Sequence, residues 1–176
     1  MNHDVEHKPF NGVRIEVATS VGFDEVLTRL RSLMGHVNPS EIVALAQADT
    51  TEAEFVRVVQ ERFEGTSGFM LFAEIDHGGW LSRFQIHRRT VRWILGNPLI
   101  AVTMIRHDIT AGLFAPVEIL VTEAEDGQGT RVTYVRPSSL MVIEENPPLM
   151  AMATLLDAKF DALIANATRC QANSAW

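Results

Sequence analysis

Hydrophobic and polar positions alternate with period two near the start of the chain and again past residue 116. Between and after these stretches they recur at helical spacing. Val13, Ile15 and Val17 alternate with Arg14 and Glu16, which is the pattern of a half-buried strand. Phe23, Val26, Leu27, Leu30, Leu33 and Met34 then share one helical face, and Gly35 suits the stop. Asn38-Pro39 reads as a cap with proline at the first helical position, and Thr51 with Glu54 as a capping-box pair. Phe55, Val59 and Phe63 form the inward stripe of that second helical region, which Gly65 to Gly68 ends.

Phe69 to Ile75 reads as a well-covered strand running into an Asp76-His77-Gly78-Gly79 loop. Val91 to Leu95 is another strand, stopped by Gly96. Asn97 caps a short helix whose Leu99, Ile100, Ala101, Val102, Met104 and Ile105 leave no polar face, so burial is expected. Val117, Ile119 and Val121 alternate with Glu118 and Thr122. Asp126-Gly127 and Gly129 supply the turn, and Thr130 to Val135 the return strand. Asn146-Pro147 opens the longest helix, with Leu149, Met152, Leu156, Phe160 and Leu163 on its core side. This order predicts one α+β domain over 1–176. Its sheet is antiparallel with about five strands, helices pack on one face, and a helical insertion spans about 36–66.

Composition narrows the function. The 176 residues are 47% hydrophobic, enough for a core. A net charge of -7 argues against nucleic acid and against adhesion to an anionic membrane. No run of about 18 apolar residues occurs to span a bilayer, and Met1 to Phe10 lacks an apolar signal-peptide core. The single Cys170 excludes an internal disulfide and a cysteine-built metal cluster, so a cytoplasmic setting is expected and Cys170 reads as incidental.

Candidate chemistry is sparse. Asp76-His77 offers a carboxylate beside an imidazole for acid–base work or metal ligation, against a plain turn in which Asp76 bonds loop amides. His107 joins them as a catalytic candidate, and His87 as a third imidazole, but the irregular spacing lacks a metal-binding pattern. No metal and no cofactor is predicted. Arg83, Arg88, Arg89 and Arg92 form a basic cluster for a carboxylate or phosphate, or else a solvated rim. Asn97 is a ligand-binding candidate through the helix start, with capping as the simpler role. Trp80 and Trp93 are candidates for stacking a ligand, or are large core residues, as Met141, Met150 and Met152 are pocket-lining or core. Gly78-Gly79 is no dinucleotide fingerprint, and no serine lies in a nucleophile elbow.

Several segments together are similar to the domain-of-unknown-function family 302. They are Ile75-Asp76-His77, Gly96-Asn97-Pro98, Ala115-Pro116 before Val117 to Val121, and Glu123 to Gly127, followed by Tyr134, Pro137, Leu140 and the final helix. The resemblance covers about Val13 to Met34 and Phe69 to Ile164, and departs between His36 and Thr66. It implies a compact α+β fold with a curved antiparallel sheet backed by helices, often as a homodimer. It implies no agreed activity. The expected function is a small-molecule-binding or sensing domain. The alternatives are an enzyme using Asp76, His77 and His107, or an assembly protein.

Overall fold

A computed structural model describes residues 4–170. The N-terminal alternation becomes β1 (Arg14–Thr19), whose Ile15 and Val17 face the core. The helix α1 (Phe23–Leu33) buries Phe23, Val26, Leu27 and Leu30. It passes directly into extended backbone at Met34, so Gly35 does not end the helix with a left-handed turn. Gly35–His36 instead form β2, a two-residue strand held by the Gly35 N–H donated to the Phe69 carbonyl. A Cβ on Gly35 would lie 1.6 Å from the Phe63 carbonyl oxygen, so this crossing requires glycine.

Two helices follow, α2 (Pro39–Gln47) and α3 (Glu52–Arg62). The full capping box belongs to α2, where Asn38 and Glu41 satisfy each other's backbone. Thr51 does cap α3, accepting from the Glu54 N–H, but the Glu54 carboxylate turns to Arg57 instead of closing the box.

The strands β3 (Met70–Asp76), β4 (Thr90–Gly96), β5 (Val117–Glu123) and β6 (Thr130–Val135) complete a sheet of order β1-β6-β5-β4-β3-β2. It has six strands rather than about five. Its β2–β3 edge is parallel, and it is not strongly curled. The missing strand was β2, too short to show any alternation. Along the face bearing Trp93, Ile119, Val132 and Tyr134 pack α1 and the long helix α7 (Pro147–Thr168), which buries Leu149, Leu156, Phe160 and Leu163. Met70 points to the opposite face and meets Val37, Val59 and Phe63, so α2 and α3 form a second small core there. The remainder of that face, with Arg92, Ile94, Glu118, Leu120 and Val135, carries no helix of the main core.

The register gives the sheet two ends. Thr19, Thr130, Glu123, Thr90 and Asp76 line one, and Arg14, Val135, Val117, Leu95 and Met70 the other. The sequence motifs divide between them. Asp76-His77-Gly78-Gly79 is not a loop: Asp76 accepts the Gly79 N–H at 3.0 Å and caps a short helix, α4 (His77–Leu81). At the other end Asn97 caps α5 (Pro98–Ile105). That helix is not buried throughout. Met104 is, but Val102 is 43% exposed, because α5 lies at the end of the sheet and covers one side only. A cis peptide joins Ala115 to Pro116 before β5, and α6 (Pro137–Met141) follows β6.

Candidate functional site

The two ends of the β3–β4 pair hold two cavities of opposite character. At the Asp76 end, a groove of about 520 Å³ opens between α1 and the strand ends. Asp24, Arg31, Glu74, Asp76, His87, Arg88 and Arg89 line it. Glu74 and Asp76 point to the α1 side because they pair with Trp93 and Val91, whose side chains are buried there. The charges neutralise one another. Arg89 grips Asp24 with two bonds of 2.8 and 2.5 Å and stacks over Phe23. Those bonds hold the Asp24 carboxyl below its ordinary value and raise the Arg89 guanidinium. Arg31 donates to Glu74 at 2.6 Å and lies 5.0 Å over the Trp93 ring. Arg88 donates to the Glu123 carbonyl at 2.7 Å and approaches Glu125.

At the Asn97 end, a cavity of about 220 Å³ lies between the strand ends, α5, α7 and α2. Ile42, Phe69, Phe72, Met104, Pro116 and Leu156 are among the residues that line it. A register irregularity between Leu71 and Ala73 occurs where Phe72 reaches this lining. Gly96 keeps the floor open: a Cβ there would stand 3.1 Å from the Pro116 Cβ and 3.3 Å from the Phe72 ring. The lining has one polar side chain, Asn97, which is 4% exposed. Its Oδ1 accepts the Leu99 N–H at 2.8 Å and its Nδ2 donates to the Gly68 carbonyl at 2.9 Å. Asn97 therefore ties α5 to the start of β3, with its Oδ1 and its Nδ2 each bonded to backbone.

The sequence candidates fall as follows. His77 follows Asp76 at the polar end, and its Nδ1 accepts the Trp80 indole N–H at 3.3 Å. His107 lies in the α5–β5 connection at the apolar end, where its carbonyl accepts from Asn146 at the start of α7. Since α7 finishes at Thr168, beside Thr19 at the polar end, the two histidines stand at opposite ends of the sheet. The shared His77–His107 site is thereby excluded: α5 leaves the sheet at the end opposite Asp76. Among the described residues no group of three or more His, Cys, Asp and Glu side chains is placed to hold a metal ion. Trp93 is fully buried and lines neither cavity, and its Nε1 has no acceptor among the described residues. Trp80 is half-exposed on α4. Arg88 and His87 reach the polar groove, and Asn97 reaches the apolar cavity. Met141 is buried in the main core, whereas Met150 is exposed. Cys170 accepts or donates to Ser20 at 3.1 Å, which holds its thiol below its ordinary value.

Sequence reasoning did not find the apolar cavity. Its walls come from six elements and consist of residue types that also build ordinary cores.

With this geometry in view, the comparisons define a class. The family model for a domain of unknown function, DUF302, matches residues 43–167, from within α2 to near the end of α7. The chain belongs to that family. A solved structure with the same fold is the crystal structure of an uncharacterized conserved DUF302 protein from Bacillus stearothermophilus. It is 18% identical, with a TM-score of 0.60 over 89% of this chain and 98% of that one. No curated protein matches the chain.

Proposed function

We propose that this chain is a small-molecule-binding or sensing domain whose ligand is apolar and occupies the cavity beside Asn97. The supporting observation is the lining: no side chain there titrates, and the only polar one is hydrogen-bonded to backbone through both its oxygen and its nitrogen. A site of this kind binds by removing apolar surface from water and supplies no acid, base or nucleophile. Its volume of about 220 Å³ exceeds the roughly 150 Å³ apolar cavity that accepts benzene. The ligand class is accordingly a neutral hydrocarbon or aromatic molecule on the order of ten heavy atoms. The test is titration with naphthalene, read from its own fluorescence. Saturable binding is expected for the natural chain. Loss of that binding is expected in Ala101→Phe, which places a ring inside the cavity. Unchanged binding by that variant would place the probe elsewhere.

Assembly as a homodimer is part of the proposal, supported by the open sheet face. There Arg92 pairs with Glu118, while Glu16 bridges Arg14 and Arg131 at 2.7 and 3.0 Å. A groove of about 610 Å³ runs across this face past Leu120 and Val135, with Leu113 at its rim and 80% exposed. Three arginines against two glutamates leave the face nearly neutral in a chain of net charge -7, so a second copy covers it without charge conflict. Sedimentation at micromolar concentration should show a dimer, and Leu120→Arg a monomer. A natural chain that sediments only as monomer would end this part. Among the described residues no helix is long and apolar enough to cross a membrane.

A further inference from the structure

We propose that the β3–β4 connection is a docking surface for an anionic lipid membrane. Helix α4 and the turn after it, leading to β4, leave the sheet at its Asp76 end and hold three large apolar side chains in water. Trp80 is 49% exposed, Phe84 69% and Ile86 48%. Trp80 meets Phe84 edge to face at 6.2 Å and meets His77 at 5.8 Å. The rings thus pack on one another before any partner arrives, an arrangement that lowers the freedom lost on docking.

Two features select a lipid surface. First, the Trp80 indole N–H is donated to His77 Nδ1 at 3.3 Å. The ring carries its own acceptor and leaves bulk water without orphaning that hydrogen. Second, charge is segregated. The chain carries -7 overall, yet the segment between Asp76 and β4 holds Arg83, Arg88 and Arg89 and no Asp or Glu. Arg83 is exposed beside Phe84 in the same turn and has no ion-pair partner among the described residues. At the base, Arg88 and Arg89 are already engaged by Glu125 and Asp24. An anionic surface therefore attracts this projection and repels the remainder of the chain, which fixes the docking orientation. Tryptophan and phenylalanine beside an arginine form the combination that settles at the headgroup level of a bilayer. The net charge that argues against membrane adhesion is an average over this uneven distribution.

The test is co-sedimentation of the full chain, at low ionic strength, with vesicles of phosphatidylcholine alone or mixed with phosphatidylglycerol. Binding to the mixed vesicles is expected to exceed binding to the neutral ones severalfold. It should fall about tenfold in Phe84→Ala, and further in Trp80→Ala/Phe84→Ala. Arg83→Glu should weaken only the binding that depends on phosphatidylglycerol. Phe84→Ala keeps the melting temperature of the natural chain, since that ring lies mostly in water. Failure to sediment with the mixed vesicles would assign the rings to a protein partner and overturn the proposal. Equal binding to both vesicles, or undiminished binding by the double variant, would overturn it as well.

Discussion

The two ends of the β3–β4 pair differ in how they treat polar groups. At the Asp76 end there are many, and they answer one another: Arg89 with Asp24, Arg31 with Glu74, Arg88 with the Glu123 carbonyl. At the Asn97 end there is one, and backbone consumes both of its ends. The charge-rich end looks like chemistry in the sequence, yet its groups are spent on each other in water, where such pairs contribute little. The apolar end looks like core, yet the chain leaves space there. Polar density and available binding surface are separate properties in this fold.

The comparison predicts unequal costs of substitution. Leu156, 3% exposed and lining the apolar cavity, should cost about 2–5 kcal/mol as Leu156→Ala, read from urea denaturation. A cost below about 1 kcal/mol would show that this wall collapses onto the vacated space and is not rigid. Asn97→Ala removes both a helix cap and the donor to the buried Gly68 carbonyl, so about 2–3 kcal/mol is expected. Probe affinity should stay within a few-fold of the natural chain, since an apolar probe takes no hydrogen bond from the amide. A large loss of affinity at unchanged stability would make Asn97 a ligand contact.

Tyr134 lies on the covered face between the two ends, and its hydroxyl donates to Asp161 on α7 at 2.5 Å. Tyr134→Phe should cost about 1 kcal/mol at neutral pH. Burial, then the bond to Asp161, raises the phenol above its ordinary 10.0. With the folded value raised, this contribution is present below pH 10.0 and is lost as pH rises beyond it. Alkaline melting curves of the natural chain and the Phe variant should therefore converge.

The smallest effect belongs to the polar end. Asp24→Asn should leave the melting temperature nearly unchanged at neutral pH and unchanged in high salt. Because Asp24 is held below its ordinary 3.8, whatever its pair contributes is present above that value. It disappears as pH falls further, through the folded value. A marked neutral-pH destabilisation would show that the polar end is built as firmly as the apolar one.

Much of the fold was legible because its signals are local. The caps at Asn38, Thr51, Asn97 and Asn146 each satisfy amides two or three residues on. The face of α7 follows from spacing along one helix. What required three dimensions was not legible. β2 depends on a carbonyl at Phe69, more than thirty residues further along the chain. The ends of the sheet at which His77 and His107 lie are fixed only by register and by the run of α7. The apolar cavity exists because Phe72, Met104, Pro116 and Leu156 fail to meet, and no single segment records that. Gly96 was the nearest signal, and it reads equally well as the end of a strand.

An apolar ligand of this chain enters at the Asn97 end if the cavity there is its binding site. Methyl-resolved NMR during titration with naphthalene tests this directly, because both cavities carry methyl groups. Ile42, Ile100, Met104 and Leu156 line the apolar cavity, and Leu27 and Val91 line the polar groove. Saturable shifts at Ile42, Ile100, Met104 and Leu156, with Leu27 and Val91 unmoved, are the predicted result. Shifts centred on Leu27 and Val91, or no saturable shift at either end, would contradict it.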